Sequence, residues 1–377
     1  MALTFERLAS DGRARRGRLS TPHGVIETPA FMPVGTLGAV KGVLPQTLEE
    51  LGASVMLANL YHLALRPGIG VIERLGGLHA FSGWRGPILT DSGGFQVWSL
   101  AGLAEIDERG VTFRSHLDGD LVRFTPESVV EQQERMGVDI AMALDECPPW
   151  PIEEPAAARA LDRTLGWAER SLAARRRPRT TALFGIAQGS AYRHLRERAA
   201  RTLAALPFDG YAIGGVSVGE PLAERREVVK WTAPLLPEAA PRYLMGVGTP
   251  EDLVHAVAQG VDLFDCVLPA RNGRHGLLYT RDGLVRIKNS VHRDDPRPLD
   301  PQCACPVCAR VSRAFLHHLV RSGELSGAVY GTLHNLRYFL DLMGDLREAI
   351  ASRRLVDRLP PEADRPAAGQ FPETSEP

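Results

Sequence analysis

Short runs of almost unbroken apolar residues recur along the chain. Each is followed by a longer stretch in which apolar positions return every three or four residues. Eight runs stand out, at 30–34, 55–60, 87–91, 139–145, 182–188, 211–215, 242–247 and 263–267. Runs of this length, apolar on both faces, predict strands buried on both sides of a parallel sheet. Helical spacing falls between many of them, at 44–51, 126–136, 154–176, 192–205, 222–235 and 250–259. Eight alternating units predict a (β/α)8 barrel of the TIM type, with an open doubly wound sheet as the competing arrangement. Ahead of the first unit, 16–19 and 21–25 read as a hairpin with a His23-Gly24 turn, placed to cap the barrel bottom. The expected divisions are capping β elements over 1–29, a barrel core over 30–275 and an insertion over 276–334 that delays the eighth helix. The last barrel helix is expected within 335–356, at about 336–352, followed by a Pro-, Glu- and Ala-rich tail over 357–377 that reads as disordered.

In such a barrel the chemistry gathers at the carboxyl ends of the strands. The third run ends Thr90-Asp91-Ser92-Gly93-Gly94-Phe95-Gln96 and the fourth Leu144-Asp145-Glu146-Cys147. The next four end in Gln188-Gly189, Gly214-Gly215, Met245-Gly246 and Asp265. Taken singly, Asp91 is as good a helix N-cap, and Gly214-Gly215 as good a turn. Taken together they set three carboxylates and an amide around one mouth, with glycines where backbone must approach a ligand. Asp145 and Gln188 suit a guanine edge, with backbone of Gly215 and Val216 beside them. Phe95 and Met245 are apolar and could sandwich a flat ring. Asp91 and Asp265 are then left for chemistry, and paired carboxylates are the usual equipment for cleaving glycosidic bonds. Beyond Asp265 a short extended piece and a loop are expected, carrying Arg271, Asn272, Arg274 and His275, which suit phosphate and base contacts.

Net charge is −1, so the 377-residue chain carries no global signal for nucleic acid. The local balance differs: residues 271–321 hold ten Lys/Arg against four Asp/Glu. That stretch fits a local nucleic-acid footprint or a solvated face. No apolar stretch reaches membrane-spanning length, and the N-terminus lacks a secretory apolar core, so a cytoplasmic protein is expected. Five cysteines are present, three of them packed into Cys303-Ala304-Cys305-Pro306-Val307-Cys308. An odd number so clustered argues against a disulfide framework and for a metal site in a reducing compartment. His334 is a fourth ligand candidate, with His317 and His318 as competitors. Three thiolates and one imidazole would leave no open position, which points to a structural zinc.

These blocks resemble the bacterial queuine tRNA-ribosyltransferases, or tRNA-guanine transglycosylases, over about residues 5–350. The resemblance rests on Asn59-Leu60-Tyr61-His62-Leu63 with Arg66-Pro67-Gly68, TDSGGFQ at 90–96, Asp145-Glu146-Cys147, and GIAQGS at 185–190. It continues through AIGGVSVGE at 212–220, MGVGTPEDL at 245–253, LFDCVLPARNGRHG at 263–276 and the cysteine cluster with His334. The resemblance implies exchange of the wobble guanine of tRNAs with GUN anticodons (Asp, Asn, His, Tyr) for 7-aminomethyl-7-deazaguanine, on the path to queuosine. It implies Asp265 as the nucleophile that forms a covalent ribosyl link, and Asp91 as the general acid/base. Base recognition would fall to Asp91, Ser92, Gly93, Gly94, Phe95, Asp145, Gln188, Gly215, Val216 and Met245. Contact with the tRNA anticodon loop would fall to Gly246, Val247, Gly248, Thr249, Pro250, Glu251 and Asp252, and to Ala270, Arg271, Asn272, Gly273 and Arg274. Cys303, Cys305, Cys308 and His334 would hold one structural zinc ion per subunit of a homodimer. Leu60 and Ala270 stand where the family usually has Thr, a departure that touches RNA affinity rather than chemistry. Cys147 and Val218 follow the bacterial pattern, which favours the aminomethyl precursor over queuine. A non-catalytic RNA-binding subunit, a related enzyme acting on DNA and a zinc hydrolase are the rival readings.

Overall fold

The computed structural model describes residues 3–96 and 104–355. Three antiparallel strands come first, β1 (Thr4–Asp11), β2 (Ala14–Thr21) and β3 (Gly24–Thr28). The expected hairpin is thus the second half of a three-stranded sheet. Thr21 pairs with Gly24, so the turn is Pro22-His23, and Gly24 at φ 140° opens the return strand. β1 left no clear trace in the sequence because TFERLASD is largely polar and mostly exposed.

The barrel follows. β4 (Ala30–Met32), β5 (Met56–Asn59) and β6 (Ile88–Asp91) are its first strands. A small antiparallel sheet, β7 (Ala104–Asp107), β8 (Gly110–Arg114) and β9 (Leu121–Phe124), then departs from it. β10 (Ile140–Met142), β11 (Ala182–Ala187), β12 (Gly210–Ile213), β13 (Arg242–Leu244) and β14 (Leu263–Asp265) complete the set. Hydrogen bonding runs β4-β14-β13-β12-β11-β10-β6-β5, every pair parallel. The ends of that list meet: Val34 bridges Leu57, the Gly35 N–H donates to Leu57 O at 2.7 Å, and the Leu57 N–H donates to Pro33 O at 3.0 Å. All eight expected runs therefore supply a barrel strand, and the open sheet is excluded.

Period-two alternation decides what each strand sends inward. Met32, Leu57, Leu89, Met142, Ile186, Ala212, Tyr243 and Leu263 share one buried cluster with Leu19 and Ile26 of the capping sheet. Phe31, Ala58, Ile88, Ala141, Ile213, Leu244 and Phe264 face the helical layer instead. Two residues beyond the inward positions come Asn59, Asp91, Gln188 and Asp265. The same alternation that packs the core thus aims Asn59, Asp91 and Asp265 at the barrel mouth and sets Gln188 just behind its wall. At the opposite end, buried Arg15 pairs with buried Asp262, and Asp139 accepts from His23 Nδ1 at 2.9 Å and from the Ile88 N–H at 2.9 Å. These ties fasten the capping sheet to the barrel floor.

Two expectations after β14 need correction. The segment after Asp265 that carries Arg271 and Arg274 is a short helix, Leu268–His275, rather than a loop. The long helix that packs on β4 and on helix Pro250–Ala258 is delayed to Leu325, as expected. Pro269 sits in the first turn of the short helix, where a missing N–H costs nothing, and Gly276 ends it at φ 79°. Asn272 and Gly273 hid the short helix by their low propensity, and packing overrides it. Gly273 rests on Gly331 of the long helix Leu325–Ala351, where an added β-carbon would come within 2.6 Å of Gly331 backbone. That long helix begins well before residue 336, its early part masked in sequence by Gly327 and Gly331. Between the two helices lie a hairpin of β15 (Leu277–Thr280) and β16 (Gly283–Arg286), the cysteine loop and helix Arg313–Arg321. The tail expected to be disordered lies outside the described residues.

Candidate active site

A cavity of about 600 Å³ opens at the carboxyl ends of the strands. Asp91, Asp145 and Asp265 all line it, with Ser92, Gly93, Gly94, Phe95, Gly215, Val216 and Met245. Three carboxylates read from strand ends are thereby brought together, and the fourth member expected at the mouth, Gln188, is not among the lining residues. Gln188 stands behind that wall, buried, with its Nε2 donating to Asp145 Oδ2 at 2.7 Å. Ser92 Oγ donates to the other Asp145 oxygen at 2.9 Å. Burial raises the Asp145 pKa, and these two donors work against the rise. Gly215 (φ 61°) cannot be replaced cheaply, since a β-carbon there would meet Gln188 Oε1 at 2.1 Å.

The other two carboxylates are held differently. Asp91 accepts from Asn59 Nδ2 at 2.5 Å and from the Leu60 N–H at 3.2 Å. Burial pushes its carboxyl up to about 8, the Leu60 N–H opposes the rise, and the negative charge of Asp265 adds to it. Asp265 Oδ1 accepts from Tyr243 Oη at 2.6 Å and from the Gly246 N–H at 2.7 Å. Burial raises Asp265 too, and both donors favour its ionised form. Two inward carboxyls thus sit in different environments. Asp91 is pushed up to about 8, while Asp265, also raised by burial, has two donors that oppose the rise.

Arg271, Gly246, Gly248 and Thr249 reach the cavity rim. Pro250, Glu251 and Asp252 form the first turn of helix Pro250–Ala258, capped by Thr249. Asp252 is buried between Arg225 (3.0 Å) and Arg226 (3.3 Å). Val247 and Ala270 are buried, and Gly273 faces Gly331, so these act through what they hold. Asn272 Nδ2 donates to Tyr279 Oη at 2.9 Å. Arg274 lies half-buried near Arg271, and burial followed by that like charge lowers its pKa. Several participants were not foreseen. They are Tyr243 and Asn59 as holders of the two carboxylates, and Glu220, whose oxygens accept the N–H groups of Ser217 (2.5 Å) and Val218 (2.9 Å). Inward parity could have flagged Asn59 and Tyr243; nothing local marks Glu220.

The cysteine loop meets the long helix at a separate cluster. Cys303, Cys305, Cys308 and His334 bring their ligand atoms within 4.8 Å of one another. His334 Nδ1 lies 3.3 Å from Cys308 Sγ and 3.7 Å from Cys305 Sγ. Tetrahedral zinc with bonds of roughly 2.0–2.3 Å would set its ligands about 3.3–3.8 Å apart, so the set fits. His334 Nε2 donates to Tyr279 O at 2.6 Å, which fixes the tautomer and turns Nδ1 to the sulfurs. His317 is engaged with Ile287 O at 2.7 Å and His318 is exposed, so neither competes. The four-residue cluster is compatible with a structural zinc site.

A barrel with paired inward carboxylates at a largely apolar cavity and a separate Cys3His cluster has the equipment of a glycosyl-transferring class. The family model for queuine tRNA-ribosyltransferase matches residues 10–359. A queuine tRNA-ribosyltransferase of Desulforudis audaxviator is 53% identical, covering 94% of this chain and 96% of its own length. The protein of that name from Nitrosospira multiformis is 54% identical over 92% of this chain and 95% of its own. That from Marinobacter nauticus is 51% identical, covering 94% and 95%. The chain belongs to the queuine tRNA-ribosyltransferase family, the tRNA-guanine transglycosylases.

Proposed function

We propose that this enzyme exchanges the wobble guanine of GUN-anticodon tRNAs (Asp, Asn, His, Tyr) for 7-aminomethyl-7-deazaguanine by double displacement. The observation that carries the reading is the contrast between Asp91, pushed up to about 8, and Asp265, held by Tyr243 and Gly246. Asp265 attacks C1′ of the target nucleoside. The bond from C1′ to the base nitrogen breaks, and Asp91 gives its proton to the departing guanine. The ribosyl carbon is then esterified to Asp265. Asp91, now a carboxylate, takes the ring N–H proton of the incoming base, which attacks C1′ and frees Asp265. Two inversions leave the configuration retained. Asp145 accepts the N1 and 2-amino protons of the base, Gly215 and Val216 backbone face its 6-oxo group, and Phe95 and Met245 flank the ring. Gln188 supports Asp145 from behind. Arg271 and Arg274 hold the anticodon loop.

Cys303, Cys305, Cys308 and His334 would hold one zinc ion, which braces the 276–334 region and takes no part in the reaction. A tRNA substrate places the protein in the cytoplasm, and no helix among the described residues is long and apolar enough to cross a membrane. The enzyme acts as a homodimer in this reading.

The deciding experiment is incorporation of labelled guanine, then of 7-aminomethyl-7-deazaguanine, into tRNA and into duplex DNA. Asp265→Asn should abolish the covalent RNA adduct and leave tRNA binding nearly intact. An adduct trapped with that variant would sink the assignment of the nucleophile. Exchange on DNA alone would point to the rival substrate, and no exchange to a binding subunit.

A further inference from the structure

Arg196 lies on helix Arg193–Ala204 and has no exposed surface. Among the described ion pairs none involves it. Its guanidinium is spent on backbone carbonyls instead. Nε donates to Ser190 O at 2.6 Å, Nη1 to Ala187 O at 2.9 Å and Gly214 O at 2.7 Å, and Nη2 to Gly215 O at 2.9 Å. Burial lowers its pKa to about 10, which leaves it charged at neutral pH. Burying a cation without a carboxylate partner is unfavourable, and a smaller neutral donor could satisfy one or two of these carbonyls. What the guanidinium adds is a rigid planar fork that ties the end of β11 to the end of β12.

The consequence lies in the peptide planes. In a trans peptide the C=O of one residue and the N–H of the next point opposite ways. The carbonyls of Gly214 and Gly215 turn toward Arg196. The N–H groups of Gly215 and Val216 therefore turn away from it; that of Gly215 is directed to the Cys147 thiol, and Cys147, Gly214, Gly215 and Val216 all line the cavity. The Gln188 side chain is caught in the same clamp, because Ala187 and Ser190 on either side of it are both held. Only a glycine fits beside Gln188 at position 215, since an added β-carbon would meet Gln188 Oε1.

We propose that Arg196 is a positioning residue for base selection: without touching the base, it fixes the peptides whose N–H groups meet the 6-oxo oxygen of guanine or a 7-deazaguanine. This rests on the base-exchange reading above. It sets Arg196 apart from a residue that only stabilises the fold, because its loss should fall on one edge of one substrate.

The test uses the full chain with Arg196→Met and Arg196→Lys. Guanine incorporation gives kcat, KM for guanine and KM for tRNA. Inhibition by 2-aminopurine, which keeps the 2-amino group and has no oxygen at position 6, serves as the probe of the opposite edge. Loss of roughly one or two oriented hydrogen bonds predicts a KM for guanine raised about tenfold or more in Arg196→Met. KM for tRNA should stay within about twofold, inhibition by 2-aminopurine should hold, and Arg196→Lys should fall between. Equal losses for guanine and 2-aminopurine, or for guanine and tRNA, would overturn the proposal. So would kinetics that merely track the folded fraction measured by thermal melting. If Arg196→Met does not fold, Arg196→Lys carries the same comparison. If the parent enzyme exchanges no base, the function reading fails by itself. Calorimetric binding of guanine against 2-aminopurine then still decides whether Arg196 governs the 6-oxo edge.

Discussion

Replacing Asp91 by Asn should make the protein more stable while destroying its activity, and the gain should grow with pH. Asp91 is pushed from the ordinary 3.8 up to about 8. A folded pKa above the unfolded one means that the folded state holds the proton more tightly. Stability from that proton is fully present below about pH 4 and is lost as pH rises toward about 8. Each pH unit in that window is worth about 1.4 kcal/mol. At pH 7 the shift amounts to roughly 4 kcal/mol at most; Asp91 keeps part of its surface open to the cavity, so about 2–4 kcal/mol is the working range. Asn carries no charge to desolvate. The Leu60 N–H bonds Oδ1 of Asp91 and Asn59 Nδ2 bonds Oδ2, so the amide oxygen of the variant keeps one of these two bonds and its NH2 takes the place of the other oxygen. That loss is smaller than the charge burial it removes. The assay is urea unfolding of parent and Asp91→Asn at pH 5, 7 and 9. The difference in unfolding free energy should widen in favour of the variant from pH 5 to pH 7, and level off beyond about pH 8. A difference that does not change with pH, or a variant that is less stable at pH 9, would refute the reasoning. It would show that Asp91 is not a burdened acid.

Three further perturbations have worked signs. Tyr243→Phe removes a donor that stabilises ionised Asp265, so its pKa should rise further; the acid limb of the pH–rate profile should move to higher pH, and kcat should fall by about 1.5–3 kcal/mol of transition-state stabilisation. Arg271→Ala should weaken tRNA binding and reduce by about one the slope of log affinity against log salt, while KM for the free base stays put. Cys305→Ala, or zinc chelation, should lower the melting temperature and loosen the 276–334 region, with activity lost through structure rather than chemistry. Unchanged melting after metal removal would count against a bracing role.

The barrel was legible in the sequence because parallel strands announce themselves as apolar runs. Asp91 and Asp265 were legible because they end such runs in the inward phase. The helix Leu268–His275 was not, since RNGRH has the local chemistry of a loop and only the Gly273–Gly331 approach decides otherwise. Arg196 sits in RHLRERAARTLA, where one arginine among four looks solvated, and its burial depends on carbonyls from two distant strands. Tyr243 and Gly246 lie about twenty residues before Asp265 in the chain, and strand pairing brings them to it. The choice of His334 over His317 and His318 was likewise a matter of which imidazole the fold spends elsewhere. The side sheet β7–β9 is short and partly exposed, with too little periodicity to stand out.

The helix Leu325–Ala351 fixes where this protein can be cut and rejoined. At 1.5 Å per residue its 27 residues span about 40 Å. Along that length it offers Gly331 to the Arg271 helix, His334 to the cysteines, and Arg347 to Pro29 O at 2.7 Å beside the capping sheet. A chimera exchanging residues 276–334 would break this rod between its metal ligand and its anchor. Crossovers outside the helix, before Leu325 or after Ser352, would leave it whole. Shuffled enzymes should therefore survive joints on either side of the rod and fail at those within it.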